Sequence, residues 1–148
     1  MALAWHLLRD EDAALDAAQD ALLRALDAVK SLRDADRFWP WLARIVVNRC
    51  RSLRRRDRAG PTFETLPAPE PAAELTAPDL DEPDRRQAVA EAVARLPDAQ
   101  REAVVLFYYH GLPQEEVAAA LGCSVGAVKA RLFAARRRLA GDLAGWLE

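Results

Sequence analysis

The chain has 148 residues, 21 of them Lys or Arg and 23 Asp or Glu, for a formal net charge of −2. That length allows one domain or two small ones, and an Ala-, Leu- and Arg-rich composition with 7% aromatics favours helix throughout, an all-α fold. No apolar run reaches membrane-spanning length, and the first eight residues are too short and lack the basic start of a secretion signal, so a cytoplasmic chain with no membrane insertion is expected.

Met1 to Leu8 reads as the tail of a helix. Asp12 to Leu32 follows as a long amphipathic helix, with Leu15, Ala18, Leu22, Leu26 and Val29 on one face and Asp16, Gln19, Asp20, Arg24 and Asp27 on the other. A third helix is expected to start at Asp36 and run to about Arg56, with Pro40 in its first turn, where a missing N–H is harmless. Leu42, Ile45, Val46, Arg49 and Leu53 share one side of it. Arg44, Asn48, Arg51 and Arg55 form a second, basic and hydrogen-bonding stripe at intervals of four, three and four residues. Trp41 is assigned to the core, and Trp39 is left open between packing and stacking on unpaired bases.

Residues 60–83 carry Pro61, Pro67, Pro69, Pro71, Pro78 and Pro83, which remove backbone donors and fix φ. This stretch is too long for a loop inside one domain and divides the chain into units at 1–58 and 84–148, joined by a linker at 59–83. Each unit has fewer than about 65 residues and is expected to bury only a modest core.

In the second unit Asp84 to Arg95 makes a helix with Ala88, Val89, Ala92, Val93 and Leu96 facing inward. Leu96-Pro97-Asp98 is a stop and restart, and Ala99 to Tyr109 forms the next helix, burying Ala103, Val104, Leu106 and Phe107 before Gly111 ends it. Pro113 to Leu121 is then a short helix, Gly122 a left-handed turn and Ser124 the cap of a second helix. Val128, Leu132, Ala135 and Leu139 line the buried side of that helix, and Ala127, Lys129, Ala130, Arg131 and Phe133 are left for the open side. Two helices around a tight turn, the second ending in Arg136, Arg137 and Arg138, are a helix-turn-helix whose second helix suits a DNA major groove.

The near-zero net charge hides segregation. Arg49, Arg51, Arg54, Arg55, Arg56 and Arg58 cluster around one acid, Asp57, and Lys129, Arg131, Arg136, Arg137 and Arg138 form a second cluster. Glu64, Glu70, Glu74, Asp79, Asp81, Glu82 and Asp84 lie between them with no basic residue. Two basic helices separated by an acidic connector suit two contacts with one polyanion. Cys50 and Cys123 have no metal-ligand spacing and read as small, partly buried residues in a reducing compartment. His6 and His110 are isolated; His6 is expected on a helix surface or lightly packed, and His110 at a helix end. With no nucleophile–base pair, metal spacing or phosphate loop, the sequence points to no enzyme, no catalytic residue, no metal and no cofactor.

Gly111-Leu112-Pro113-Gln114-Glu115-Glu116-Val117-Ala118 followed by Leu121-Gly122-Cys123-Ser124-Val125-Gly126-Ala127-Val128-Lys129-Ala130-Arg131-Leu132 resembles region four of the extracytoplasmic-function sigma factors. Asp16-Ala17-Ala18-Gln19-Asp20-Ala21-Leu22-Leu23-Arg24-Ala25 resembles the family's polymerase-binding helix, and Phe38-Trp39-Pro40-Trp41-Leu42-Ala43-Arg44-Ile45-Val46-Val47-Asn48 its promoter-melting helix. The resemblance implies a transcription initiation factor that binds core RNA polymerase, places it at a promoter and helps to melt the start site. It implies that Asp16, Gln19, Asp20 and Arg24 meet the clamp helices of the largest polymerase subunit. Arg44, Asn48, Arg51 and Arg55 would face the minus-ten element and its separated strand. Ser124, Ala127, Lys129, Ala130 and Arg131 would face the minus-thirty-five element, with Arg136, Arg137 and Arg138 on phosphates or in solvent. An anti-sigma protein is the implied regulator.

The chain departs from the family pattern at several positions. The family carries a further helix ahead of the position of Met1, so two helix faces are expected to lack a packing partner. Ala17 and Ala18 are smaller than usual, Ser52 stands where an acid or Asn is common, and Ala127 and Ala130 replace hydroxyl residues. These departures motivate an alternative, a helix-turn-helix regulator that reads DNA and no longer engages polymerase.

Overall fold

The computed structural model describes residues 2–59 and 83–146, and all regular structure among them is helical. Seven α-helices follow in order: α1 (Ala2–Leu8), α2 (Glu11–Ala28), α3 (Phe38–Ala59), α4 (Pro83–Ala94), α5 (Asp98–Val104), α6 (Gln114–Leu121) and α7 (Val125–Asp142). Apart from its two ends, Ala59 closing α3 and Pro83 opening α4, the 59–83 linker lies outside the described residues.

Asp10 starts α2 by accepting a hydrogen bond from the Ala13 N–H at 3.0 Å, and Glu11 and Asp12 add negative charge to the first turn, where the helix dipole favours it. At its other end α2 tightens into a 3₁₀ turn, Val29–Ser31. The helix is amphipathic, but the expected inner face is the wrong one. Ala14, Ala17, Ala18, Ala21 and Ala25 are buried, whereas Leu22 and Leu26 are 57% and 71% exposed, and Leu15 and Val29 are exposed as well. Periodicity finds two stripes, one of leucine and one of alanine. The alanine stripe is buried because small side chains let α1 and α3 approach the α2 backbone closely.

The third helix is likewise rotated from expectation. Asp34 accepts from the Asp36 N–H at 3.0 Å and organises a 3₁₀ turn, Ala35–Arg37, so α3 proper begins at Phe38 with Pro40 in its first turn. Ala43, Val47 and Cys50 form the buried row, and Leu42, Ile45, Val46, Arg49 and Leu53 are only half-buried. This helix packs against α1 and α2 on one side and α6 on another, and a row of small residues fits that confined position. Trp41 is half-buried with its ring centroid 6.0 Å from that of Phe38, and Trp39 is 67% exposed.

Among the later helices Ala92, Val93 and Leu96 turn inward as expected, with Ala88 and Val89 half-buried. Pro97 ends one helix and precedes the next. The buried Arg101 guanidinium donates to the Ala94 carbonyl at 2.8 Å and thereby satisfies an orphan acceptor at the end of α4. The helix expected over Ala99–Tyr109 does not stay α-helical. After Val104 it widens into a π turn, Val105–Tyr109, closed by the His110 N–H on the Val105 carbonyl at 3.1 Å. Gly111 then leaves the helix at φ 66°.

The two expected cores are joined into one. Leu7 of α1, Val47 and Cys50 of α3, Leu106 of the π turn, Val117 of α6 and Leu132 of α7 belong to a single buried cluster. His6 lies in the same seam and is 8% exposed, a correction to its expected place on a helix surface or in light packing. Its Nδ1 donates to the Ala2 carbonyl at 2.7 Å, and its ring centroid lies 4.8 Å from that of Tyr109, with the His110 ring 6.1 Å away edge-on. The register shift of the π turn is what presents Tyr109 to α1.

Burial lowers the His6 pKa from its ordinary 6.5, with Arg9 and His110 acting in the same direction against the Ala2 hydrogen bond. The folded chain thus holds a neutral imidazole that the unfolded chain would protonate. Stability is expected to hold above pH 6.5 and to fall as pH drops from there through the lowered pKa. Thermal melts at pH 7.5 and 5.5 should show a smaller acid loss in His6→Gln than in the unsubstituted chain.

Candidate nucleic-acid and polymerase interfaces

The helix-turn-helix forms where the sequence places it. Gly122 adopts φ 67°, ψ 39° at the end of α6, and Ser124 Oγ accepts from the Ala127 N–H at 3.1 Å to start α7. Val128, Leu132 and Ala135 are buried beneath α7, with Leu139 half-buried. The opposite side presents Gly126, Lys129, Ala130, Phe133 and Arg137 at helical spacing, all exposed. Phe133 is 62% exposed, with the Arg137 guanidinium 6.0 Å from its ring centroid. An exposed aromatic between cations, on a helix free to enter a groove, offers apolar contact to a thymine methyl as well as charge.

The other expected readers on α7 are less open. Ala127 is half-buried. Arg131 is half-buried, and its Nη1 points to Cys123 Sγ at 3.4 Å. Arg136 is exposed but tethered, its Nε donating to Tyr108 Oη at 2.6 Å and its guanidinium lying over the Tyr108 ring. The sequence placed Phe133 on the open side without giving it a DNA contact and offered no sign of Tyr108 as a partner, although the exposed spacing from Lys129 through Phe133 to Arg137 was a usable signal.

On α3 the stripe of Arg44, Asn48, Arg51 and Arg55 occupies one side of the helix, and that side faces the helix-turn-helix. Arg44, Asn48 and Arg55 are exposed. Arg51 is engaged: its Nε and Nη2 donate to the two carboxylate oxygens of Glu102 at 3.1 and 2.8 Å, and its Nη1 and Nη2 reach the Leu121 carbonyl at 3.4 Å. The Glu102 bond raises the Arg51 pKa against the opposing effect of burial. Arg54, counted from the sequence in an outward basic cluster, instead points inward to the same Glu102 at 2.5 Å and to Asp98 at 3.6 Å. Its spacing of four from Cys50, on the buried row, was the available signal. Nothing in the sequence marks Glu102 as buried. Cys50, next to this cluster, has its thiol pushed up to about 11 by burial, which keeps it protonated and unreactive.

Of the acidic and polar residues expected on α2, Asp16, Gln19 and Arg24 are exposed beside the leucine stripe. Asp20 is half-buried and pairs with Arg49 Nε at 2.6 Å, which ties α2 to α3.

Comparison with known proteins places both halves of the chain. The family description "Sigma-70 region 2" matches residues 1–59, and "Sigma-70, region 4" matches residues 86–139. The SigM extracytoplasmic-function RNA polymerase sigma factor of Mycobacterium tuberculosis is 40% identical over 139 residues, covering 94% of this chain and 68% of SigM. This chain belongs to the extracytoplasmic-function sigma factors. The Escherichia coli sigma-E factor is 33% identical, with 84% of this chain and 70% of that protein covered. A probable RNA polymerase sigma factor of Xanthomonas campestris, RfaY, is 32% identical, and the chain spans 37% of its length. The sigma factor RpoE of Bartonella quintana, solved with the anti-sigma factor NepR, superposes with a TM-score of 0.77 at 32% identity, over 97% of this chain and 88% of that one. CnrH, solved with the cytosolic domain of CnrY, gives 0.68 at 31% identity, over 97% and 79%. Sigma factors of this family are initiation factors and not catalysts. The region-two match over α1 to α3 leaves the DNA-reader-only alternative without support. No single described helix is long and apolar enough to cross a membrane.

The turn is sensitive to one residue. A Cβ on Gly122 would meet only Arg44 Nη2 at 3.8 Å, an ordinary contact, so strain there comes from φ and not from crowding. Gly122→Ala is expected to cost about 1 kcal/mol in chemical denaturation, and Gly122→Asn less.

Proposed function

We propose that this sigma factor binds core RNA polymerase through α2, directs it to promoters in the cytoplasm and assists melting of the start site. The observation that carries this reading is the pairing, in one chain, of a capped helix-turn-helix with a second helix bearing a basic stripe. Asp16, Gln19 and Arg24, beside the open leucines of α2, form the surface for the polymerase clamp helices, with Asp20 contributing less because Arg49 already holds it. Arg44, Asn48, Arg51 and Arg55 serve the minus-ten element and its separated strand. Ser124, Ala127, Lys129, Ala130 and Arg131 serve the minus-thirty-five element, and Phe133 joins them on the same open face. Arg136 contributes phosphate affinity, which positions the helix without reading sequence.

Melting then requires no covalent step, because binding energy to the displaced strand offsets the lost base pairs. The linker's roughly 24 residues reach ~80 Å when extended, against about 34 Å for one turn of DNA, so two promoter elements are within span. An anti-sigma protein is the expected regulator, as NepR is in the Bartonella complex.

Asp16→Ala with Gln19→Ala should weaken binding to core polymerase about tenfold with unchanged circular dichroism, and unchanged affinity would move the contact off α2. Lys129→Ala should reduce upstream-element binding by the holoenzyme about tenfold while leaving core affinity intact. An equal loss of core affinity would overturn this division of roles.

A further inference from the structure

We infer that Tyr108, in the π turn, is the positioning residue for a DNA phosphate contact made by Arg136 of α7. This role rests on the reading of α7 as the helix that enters the groove of the minus-thirty-five element. The tyrosine belongs to the segment that follows α5 and the arginine to α7, so the contact joins two helices of the C-terminal half.

The geometry leaves the arginine ready for an anion. Arg136 Nε donates to Tyr108 Oη at 2.6 Å, and the guanidinium carbon lies 5.6 Å from the Tyr108 ring centroid. A guanidinium carries five N–H donors in a fixed planar fork. Holding it at Nε leaves the edge between Nη1 and Nη2 open, and two parallel N–H donors are what grip a phosphate in bidentate fashion. Among the described residues no carboxylate pairs with Arg136, so its charge is met by nothing within the chain.

Tyr108 is itself held. Its ring stands edge-on to that of Phe107, with centroids 4.9 Å apart and an interplanar angle of 88°. Phe107 is half-buried and packs against the core cluster. A line of support thus runs from the core through Phe107 and Tyr108 to Arg136. An arginine already held gives up less rotamer freedom when it binds. Tyr108 is 45% exposed and Arg136 is exposed too, so their bond faces water and adds little to folding.

The position along α7 selects a phosphate over a base. Arg136 shares the face of Lys129, Phe133 and Arg137, all exposed. From Val125, the first residue of α7, the helix rises about 16 Å to Arg136. The major groove is about 12 Å wide, and the N-terminal residues of a recognition helix are the ones that reach base edges. Arg136 therefore falls at the wall of the groove, where the backbone lies. Its contact sets how α7 is seated and reads no sequence.

The test uses holoenzyme assembled from core polymerase and the full-length chain. Its probes are an upstream duplex selected from a random pool by the unsubstituted holoenzyme and a scrambled duplex. Affinity is followed by anisotropy over a series of salt concentrations. Arg136→Ala should bind both duplexes about tenfold more weakly, with a salt slope shallower by ~1. Tyr108→Phe keeps the ring and removes the hydroxyl. It should bind both about threefold more weakly, with a shallower slope and an unchanged melting temperature and core affinity. In an Arg136→Ala background the same change should cost nothing further. An unimpaired Tyr108→Phe beside an impaired Arg136→Ala would overturn the positioning role. A Tyr108→Phe loss that persists in the Arg136→Ala background, at an unchanged salt slope, would assign the hydroxyl to structure and overturn it as well. If Arg136→Ala binds normally while Lys129→Ala is impaired, the phosphate contact fails and the role of α7 stands. If both bind normally, the role of α7 fails with it.

Discussion

A carboxylate sealed from water is costly unless its charge is met, and Glu102 is met by two guanidiniums from a helix some fifty residues earlier in the chain. The pairing constrains more than its own neighbourhood. It sets the rotation of α3 about its axis, because Arg51 and Arg54 can both reach one carboxylate only if Cys50 and Val47 face inward between them. With that rotation fixed, Arg49 falls on the side of α2, where it meets Asp20, and the remaining stripe residues fall toward the helix-turn-helix. Replacing either partner alone would strand the other charge in a poorly hydrated seam, which is far more destabilising than the pair is stabilising.

The second organising element is the alanine row of α2. Five alanines bury less apolar area per residue than leucines would, so much of their contribution is geometric: they let helices pack closely against α2. The larger apolar residues are left on the outside, where they stand beside Asp16, Gln19 and Arg24. One helix thereby separates two tasks, a thin inner face for folding and a thick outer face for a partner.

Helix existence and most helix ends were legible in the sequence because they rest on local chemistry. Gly122, Ser124, Pro97 and Pro40 each do in the structure what their backbone preferences dictate, and the buried row of α7 is the one that periodicity gives. The faces of α2 and α3 were not legible. On both helices the bulkier aliphatic stripe looked like the core, and in both the smaller residues are buried, since the distance between helices is set by tertiary packing and is invisible to a periodicity argument. The ionic seam was half legible: the basic stripe could be read, but its partner could not, because a single Glu within Arg101-Glu102-Ala103 carries no sign that it will be buried. His6 was misplaced for the same reason, its environment being supplied by Tyr109, about a hundred residues later in the chain.

The π turn at Val105–Tyr109 holds one residue more than an α-helix would use for the same rise. Loss of a single residue from this segment would return the helix to regular winding and leave everything after it at nearly the same angle to α5, because the π turn absorbs the extra residue by widening. Length at this point of the chain is therefore less constrained than it is within regular winding. A deletion within regular α-helix turns everything after it by roughly 100°, whereas the π turn confines the change to one widened turn and preserves the angle at which the two halves of the protein meet.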